Sequence, residues 1–144
     1  MHPGFWLILI GVLGGIAVGL QGPVAGAMSQ RVGGAASSLA IHASGAVFSG
    51  LLVLARGGES LRNWRQVPWF MWGAGALGVV LYLTLSLTFP RLGAAVSLTC
   101  IVVGQILAGL VMDHFGLLGP VRPLDLGRLA GAAVLLAGAY LIYR

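Results

Sequence analysis

The chain has 144 residues, 58% of them hydrophobic and only 8% charged, where soluble domains carry about 25% charged residues; a water-soluble globular protein is excluded. The net charge of +5 comes from eight arginines and no lysines, spread singly along the sequence. They lack the clustered basic face that nucleic-acid binding needs, and read as topology and headgroup anchors.

Asp, Glu, Lys and Arg are absent from Met1–Gln30, Val32–Ala55, Gln66–Pro90, Leu92–Met112 and Leu129–Tyr143. A hydrocarbon core about 30 Å thick needs roughly 20 apolar residues of helix. Four runs meet that length. The fifth reaches it if Leu126 joins and Arg128 snorkels its guanidinium to the interface. The expectation is an all-α integral membrane protein with five transmembrane helices in one domain, near residues 4–28, 35–55, 68–89, 92–112 and 126–143.

In helix 1, glycines at 4, 11, 15, 22 and 26 share a face, the kind of stripe that lets helices approach closely in lipid. Ala25-Gly26-Ala27 resembles a signal-cleavage site, but no Lys or Arg precedes the long apolar run, so the helix is expected to stay. Gln21 and Pro23 interrupt its end. Pro inside a helix removes a backbone bond, and broken helices beside polar residues mark transporter sites; a simple packing kink is the equal alternative.

In helix 2, Ser38, His42, Gly45 and Ser49 form a polar or small stripe. Polar faces are costly in lipid, so this one is expected to face the protein. The loop 56–67 is the most polar stretch, with Arg56, Glu59, Arg62 and Arg65. Pro68 suits the first turn of helix 3, and Trp69 and Trp72 suit a membrane interface. Trp72, Gly75, Tyr82 and Ser86 fall within one arc of helix 3, and Pro90-Arg91-Leu92-Gly93 reads as a tight reversal.

Helix 4 carries Ser97, Gly104, Gln105 and Ala108 on one face and ends at Asp113-His114-Phe115-Gly116. Cys100 lies alone inside it, which excludes an internal disulfide; it packs as a small hydrophobe. Helix 5 places Gly127, Gly131 and Gly138 on one face, a close-packing stripe. With five crossings the termini lie on opposite sides. Arg56, Arg62, Arg65, Arg122 and Arg128 then fall on the N-terminal side, against Arg31, Arg91 and Arg144 on the other. The positive-inside rule weakly favours a cytoplasmic N-terminus, and so small a bias permits both orientations.

Gln21, His42-Ala43-Ser44-Gly45, Pro68-Trp69-Phe70-Met71-Trp72-Gly73, Pro90-Arg91-Leu92-Gly93-Ala94-Ala95, Gly104-Gln105 and Asp113-His114-Phe115-Gly116 stand in an order that resembles the drug/metabolite transporter superfamily, in its five-helix YdcZ-like branch of small bacterial inner-membrane proteins. The resemblance covers essentially the whole chain. It implies half of a ten-helix inverted-repeat fold that assembles as an antiparallel dimer, with the last helix as the dimerisation helix. The four-helix small multidrug transporters of the same superfamily use a glutamate in their first helix. Here the acids are Glu59, Asp113 and Asp125, all at helix ends or in loops, so proton exchange at a mid-membrane carboxylate is not supported.

The candidate solute site is the set Gln21, His42 and Gln105, with Trp72 and Tyr82 as aromatic walls. Amides donate and accept at once and suit neutral or zwitterionic solutes. A histidine, titrating near about pH 6.5 when unperturbed, could couple transport to protons. The plainer reading is that each polar group bonds a neighbouring helix. Asp113 and His114 read as a surface pair that satisfies loop amides or an arginine. The expectation is therefore a secondary transporter, an exporter of small organic solutes, in the bacterial inner membrane. A non-transporting scaffold or accessory subunit, or one half of a heterodimer with a related five-helix partner, is the alternative. No enzyme, metal or cofactor is expected, since the spans hold no ligand cluster or nucleophile–base–acid triad.

Overall fold

The computed structural model describes residues 3–58 and 61–144; Glu59 of the polar loop lies outside them. Among the described residues all regular structure is helical, with no strand. Helix α1 spans Pro3–Val32, α2 spans Gly34–Ala55, α3 spans Ala74–Phe115 and α4 spans Leu126–Tyr143. Two short 3-10 turns, Leu61–Gln66 and Trp69–Gly73, lead from the polar loop into α3. Four stretches, Gly4–Val32, Gly34–Ala55, Trp69–Phe115 and Leu126–Tyr143, are long and apolar enough to cross a membrane.

Helix α1 continues through Pro23 to Val32. It ends because Gly33 adopts φ 87° and ψ 154°, and α2 starts at the next residue. The same device recurs inside α3, where Gly93 has φ 77° and ψ 171° and breaks the helical run. That corner of backbone space is essentially reserved for glycine. Turning the Gly93 carbonyl out of the helical direction has a side effect. Thr84, Thr88 and Thr99 each return their hydroxyl to the carbonyl four residues back. For Ser97 that residue is Gly93, and the buried Ser97 hydroxyl makes no hydrogen bond among the described residues.

The chain divides into two compact units, Met1–Arg91 and Leu92–Arg144, with the division next to Gly93. In the first unit the interior is small: Ala25, Tyr82, Leu85 and Phe89 are its buried apolar residues. Large apolar side chains such as Leu7, Ile8, Leu39, Phe48 and Leu77 point outward. That arrangement is natural for a chain whose solvent is hydrocarbon, where burial of a leucine gains nothing over lipid and close packing decides helix contacts. The closest packing falls where the helix 1 glycine stripe meets α3. A Cβ at Gly22 would lie 2.5 Å from the Phe89 ring, and one at Gly26 would lie 3.1 Å from its Cβ. Gly4, Gly11 and Gly15, on the other half of α1, have nothing within 4 Å.

This packing predicts that Gly22→Ala destabilises the chain, by about 1–3 kcal/mol as is usual for overpacking. Phe89→Leu should recover most of the loss in the double variant. Denaturant unfolding of the helical signal in detergent micelles checks both, and additive losses would contradict the contact.

Candidate functional site

At the level of Gln21 on α1, the first unit carries a half-open cavity of about 160 Å³. Val18, Gln21 and Ala25 line it from α1, His42 from α2, and Gly78, Leu81, Tyr82 and Leu85 from α3. Three of the five solute-site residues expected from the sequence, Gln21, His42 and Tyr82, thus meet at one place.

Their roles differ. Tyr82 is buried, and its hydroxyl lies 2.8 Å from Ser37 Oγ and 3.1 Å from the Ala25 carbonyl. One phenol on α3 therefore ties α3 to both α2 and α1, and the cavity meets its ring rather than a free hydroxyl. His42 stands edge-on to that ring, with centroids 6.1 Å apart. Its Nδ1 is 2.7 Å from the Ser38 carbonyl and 3.3 Å from Ser38 Oγ. The ring also borders a second opening of about 270 Å³ with Ala35, Ser38, Leu39, Val79 and Leu83. Gln21 keeps much of its side chain exposed at the cavity edge.

Trp72 stands apart from this cavity. It lies in the second 3-10 turn, 60% exposed, packed edge-to-face on Trp64 at 6.1 Å. Gln105 belongs to the second unit, on the part of α3 after Gly93, where it is exposed. Of the helix 2 stripe, Ser38 is buried and His42 partly so, while Gly45 and Ser49 are exposed.

In the second unit, Asp113 and His114 organise the loop before α4. The Asp113 carbonyl accepts from the Arg122 amide at 2.8 Å, and His114 Nδ1 accepts from the Leu124 amide at 3.2 Å. The Arg128 guanidinium reaches Asp113 Oδ2 and the Arg122 carbonyl, each at 3.3 Å. Asp125 caps α4 through the Arg128 amide at 2.8 Å. A Cβ at Gly131 or Gly138 would meet nothing within 4 Å, so this glycine face is open in the single chain.

Two contributors escaped the sequence reading. Gly78 precedes Tyr82 by one helical turn on the same face, and that spacing was the available signal. Phe89 fits against Gly22 and Gly26, whose four-residue spacing was visible without its partner.

A family model, DMT_YdcZ, described as "Putative inner membrane exporter, YdcZ", matches residues 6–141. No match was found among curated proteins or solved structures.

The Tyr82 geometry predicts that Tyr82→Phe keeps the fold and lowers its stability by about 0.6–1.7 kcal/mol, the average and the maximum found for hydrogen bonds between membrane helices. Unfolding in micelles reads the loss, and Ser37→Ala should produce little further loss when added to Tyr82→Phe.

Proposed function

The chain belongs to the DMT_YdcZ family of multi-pass inner-membrane exporters, and on that premise we propose that it is a secondary transporter exporting small organic solutes by alternating access in an antiparallel dimer. The observation that carries this reading is the cavity at the three-helix junction. It brings two polar side chains, Gln21 and His42, to an otherwise apolar wall at the level of the small interior of the first unit. Intramembrane polar groups are expensive and tend to mark substrate pathways. Among the lining residues none carries a carboxylate or a guanidinium.

In this reading α3 makes two crossings. Forty-two residues of unbroken helix would extend about 63 Å, at about 1.5 Å per residue, roughly twice the hydrocarbon thickness. The break at Gly93 leaves one segment of about 28 Å and another of about 33 Å by the same rise. Five crossings put the termini on opposite sides, so a second copy in the opposite orientation supplies the inverted partner that alternating access uses. The glycine stripe of α4, open at Gly131 and Gly138 and closed at Gly127 by the Asp125 carboxylate 3.2 Å from a Cβ there, is the proposed dimer contact, because small residues are what close helix pairs in lipid present. Gln105 is proposed to join the solute path from the second unit.

Two measurements test this. In proteoliposomes loaded with a panel of small organic solutes, the purified chain should move at least one of them, with flux falling at least tenfold in His42→Ala and in Gln105→Ala. No flux from the chain alone, together with a stably co-purifying membrane partner, would instead identify an accessory or heterodimeric subunit. Reporters active only in the cytoplasm or only in the periplasm, fused after Arg144, should show comparable activity; a single active reporter would exclude the antiparallel homodimer.

A further inference from the structure

The His42 ring is held in a way that fixes its chemistry. Nδ1 lies 2.7 Å from the Ser38 carbonyl oxygen, a group that can only accept, so Nδ1 carries the proton of that hydrogen bond. In the neutral ring the other nitrogen, Nε2, is then an acceptor. Nε2 makes no hydrogen bond among the described residues and faces Gly78, where a Cβ would lie 3.1 Å from it. A donor atom hydrogen-bonded to such a nitrogen sits at about 2.7–3.2 Å. Nε2 is thus an unpaired acceptor beside Gly78, a residue that lines the same cavity.

We propose that this cavity takes a compact, uncharged solute with an apolar body and one O–H or N–H group, which donates to His42 Nε2 beside Gly78. The proposal rests on the reading that the three-helix cavity is the transport site, and it names the class of solute. Size supports it: the cavity is about 160 Å³, and a cavity of about 150 Å³ is known to hold benzene. Val18, Ala25, Leu81 and Leu85 supply apolar contact for such a body, and the Gln21 amide can meet a second polar group at the edge. The Tyr82 hydroxyl is engaged with Ser37 and Ala25, which leaves His42 Nε2 and the Gln21 amide oxygen as the side-chain acceptors of the lining. With no acid among the lining residues, an ammonium would give up its hydration without a counter-charge, which is costly.

The test uses the full chain in micelles with 15N-labelled imidazoles, the His42 signals being assigned by their loss in His42→Gln. Phenol is the probe, and toluene is its match in size without a donor. At pH 8 the expected result is an Nδ1–H ring whose Nε2 resonance shifts saturably with phenol. Toluene should act at least tenfold more weakly on Nε2. Gly78→Ala, which sets a methyl carbon against Nε2 and covers it, should weaken the phenol response at least tenfold. An Nε2–H tautomer, equal responses to phenol and toluene, or an undiminished phenol response in folded Gly78→Ala would overturn the proposal. If Gly78→Ala does not fold, the phenol and toluene pair on the unaltered chain decides. A chain that transports solutes while phenol leaves Nε2 unmoved removes this site and keeps the exporter reading. One that binds phenol as described but moves no solute keeps the site and removes the exporter reading.

Discussion

The Tyr82 hydroxyl bond fixes the geometry of the first unit. In hydrocarbon, helices gain nothing by hiding leucines from solvent, so their arrangement depends on close fits and on polar groups that must find partners. The phenol on α3 lies within hydrogen-bond distance of Ser37 on α2 and Ala25 on α1, and it sets the three helices at one height. Just under one turn further along α3 from Tyr82 is Leu85, and a turn beyond that Phe89 fills the groove left by Gly22 and Gly26. These two fixtures lie on the same side of the cavity. Toward Val18 and Gly78 the helices are not pinned, and there the wall opens around Gln21 and His42. Tyr82, Ala25 and Leu85 form the packed end of the cavity, which widens toward Val18 and Gly78.

The second unit solves a different problem with polar groups. Its last helix is short, and Arg128 enters it within the first turn. The guanidinium turns back to Asp113 and to the Arg122 carbonyl, while Asp125 caps the helix start. The ion pair is partly exposed, with side-chain accessibilities of 30% and 49%, so its own contribution is small, within about 1 kcal/mol. Its consequence is geometric. Together with the bonds from the Arg122 and Leu124 amides to Asp113 and His114, it ties the loop to both helix ends. The acid–histidine pair is thereby occupied with backbone and arginine partners.

How much of this was legible follows from what sequence encodes locally. Charge-free runs report the solvent, and they located the apolar stretches directly. Gln21 and His42 line one cavity, but the helix 2 stripe expected to face the protein does so only at Ser38 and His42, since Gly45 and Ser49 are exposed. The break near Pro90 was visible from Pro and Gly, but its seat at Gly93 was not, since proline stays within the helical run and only the φ of 77° at Gly93 departs from it. Partners between helices were illegible: nothing in the spacing of Gly22 and Gly26 names Phe89, and nothing in an apolar segment says that Gly78 faces an imidazole. Trp72 illustrates the converse. Its position on the helical wheel suggested an inward wall, but it falls in a 3-10 turn, where that wheel does not apply.

The glycines of this chain therefore act in two physically distinct ways. Gly33 and Gly93 are used for backbone conformations that other residues avoid, and they end helical runs. Gly22, Gly26 and Gly78 are helical, and what matters is the volume they leave. At Gly22 and Gly26 that volume is filled by Phe89, which yields rigidity. At Gly78 it lies in front of a ring nitrogen. In the proposed site a neutral acceptor and a small apolar wall select the solute, by hydrogen bonding and by size.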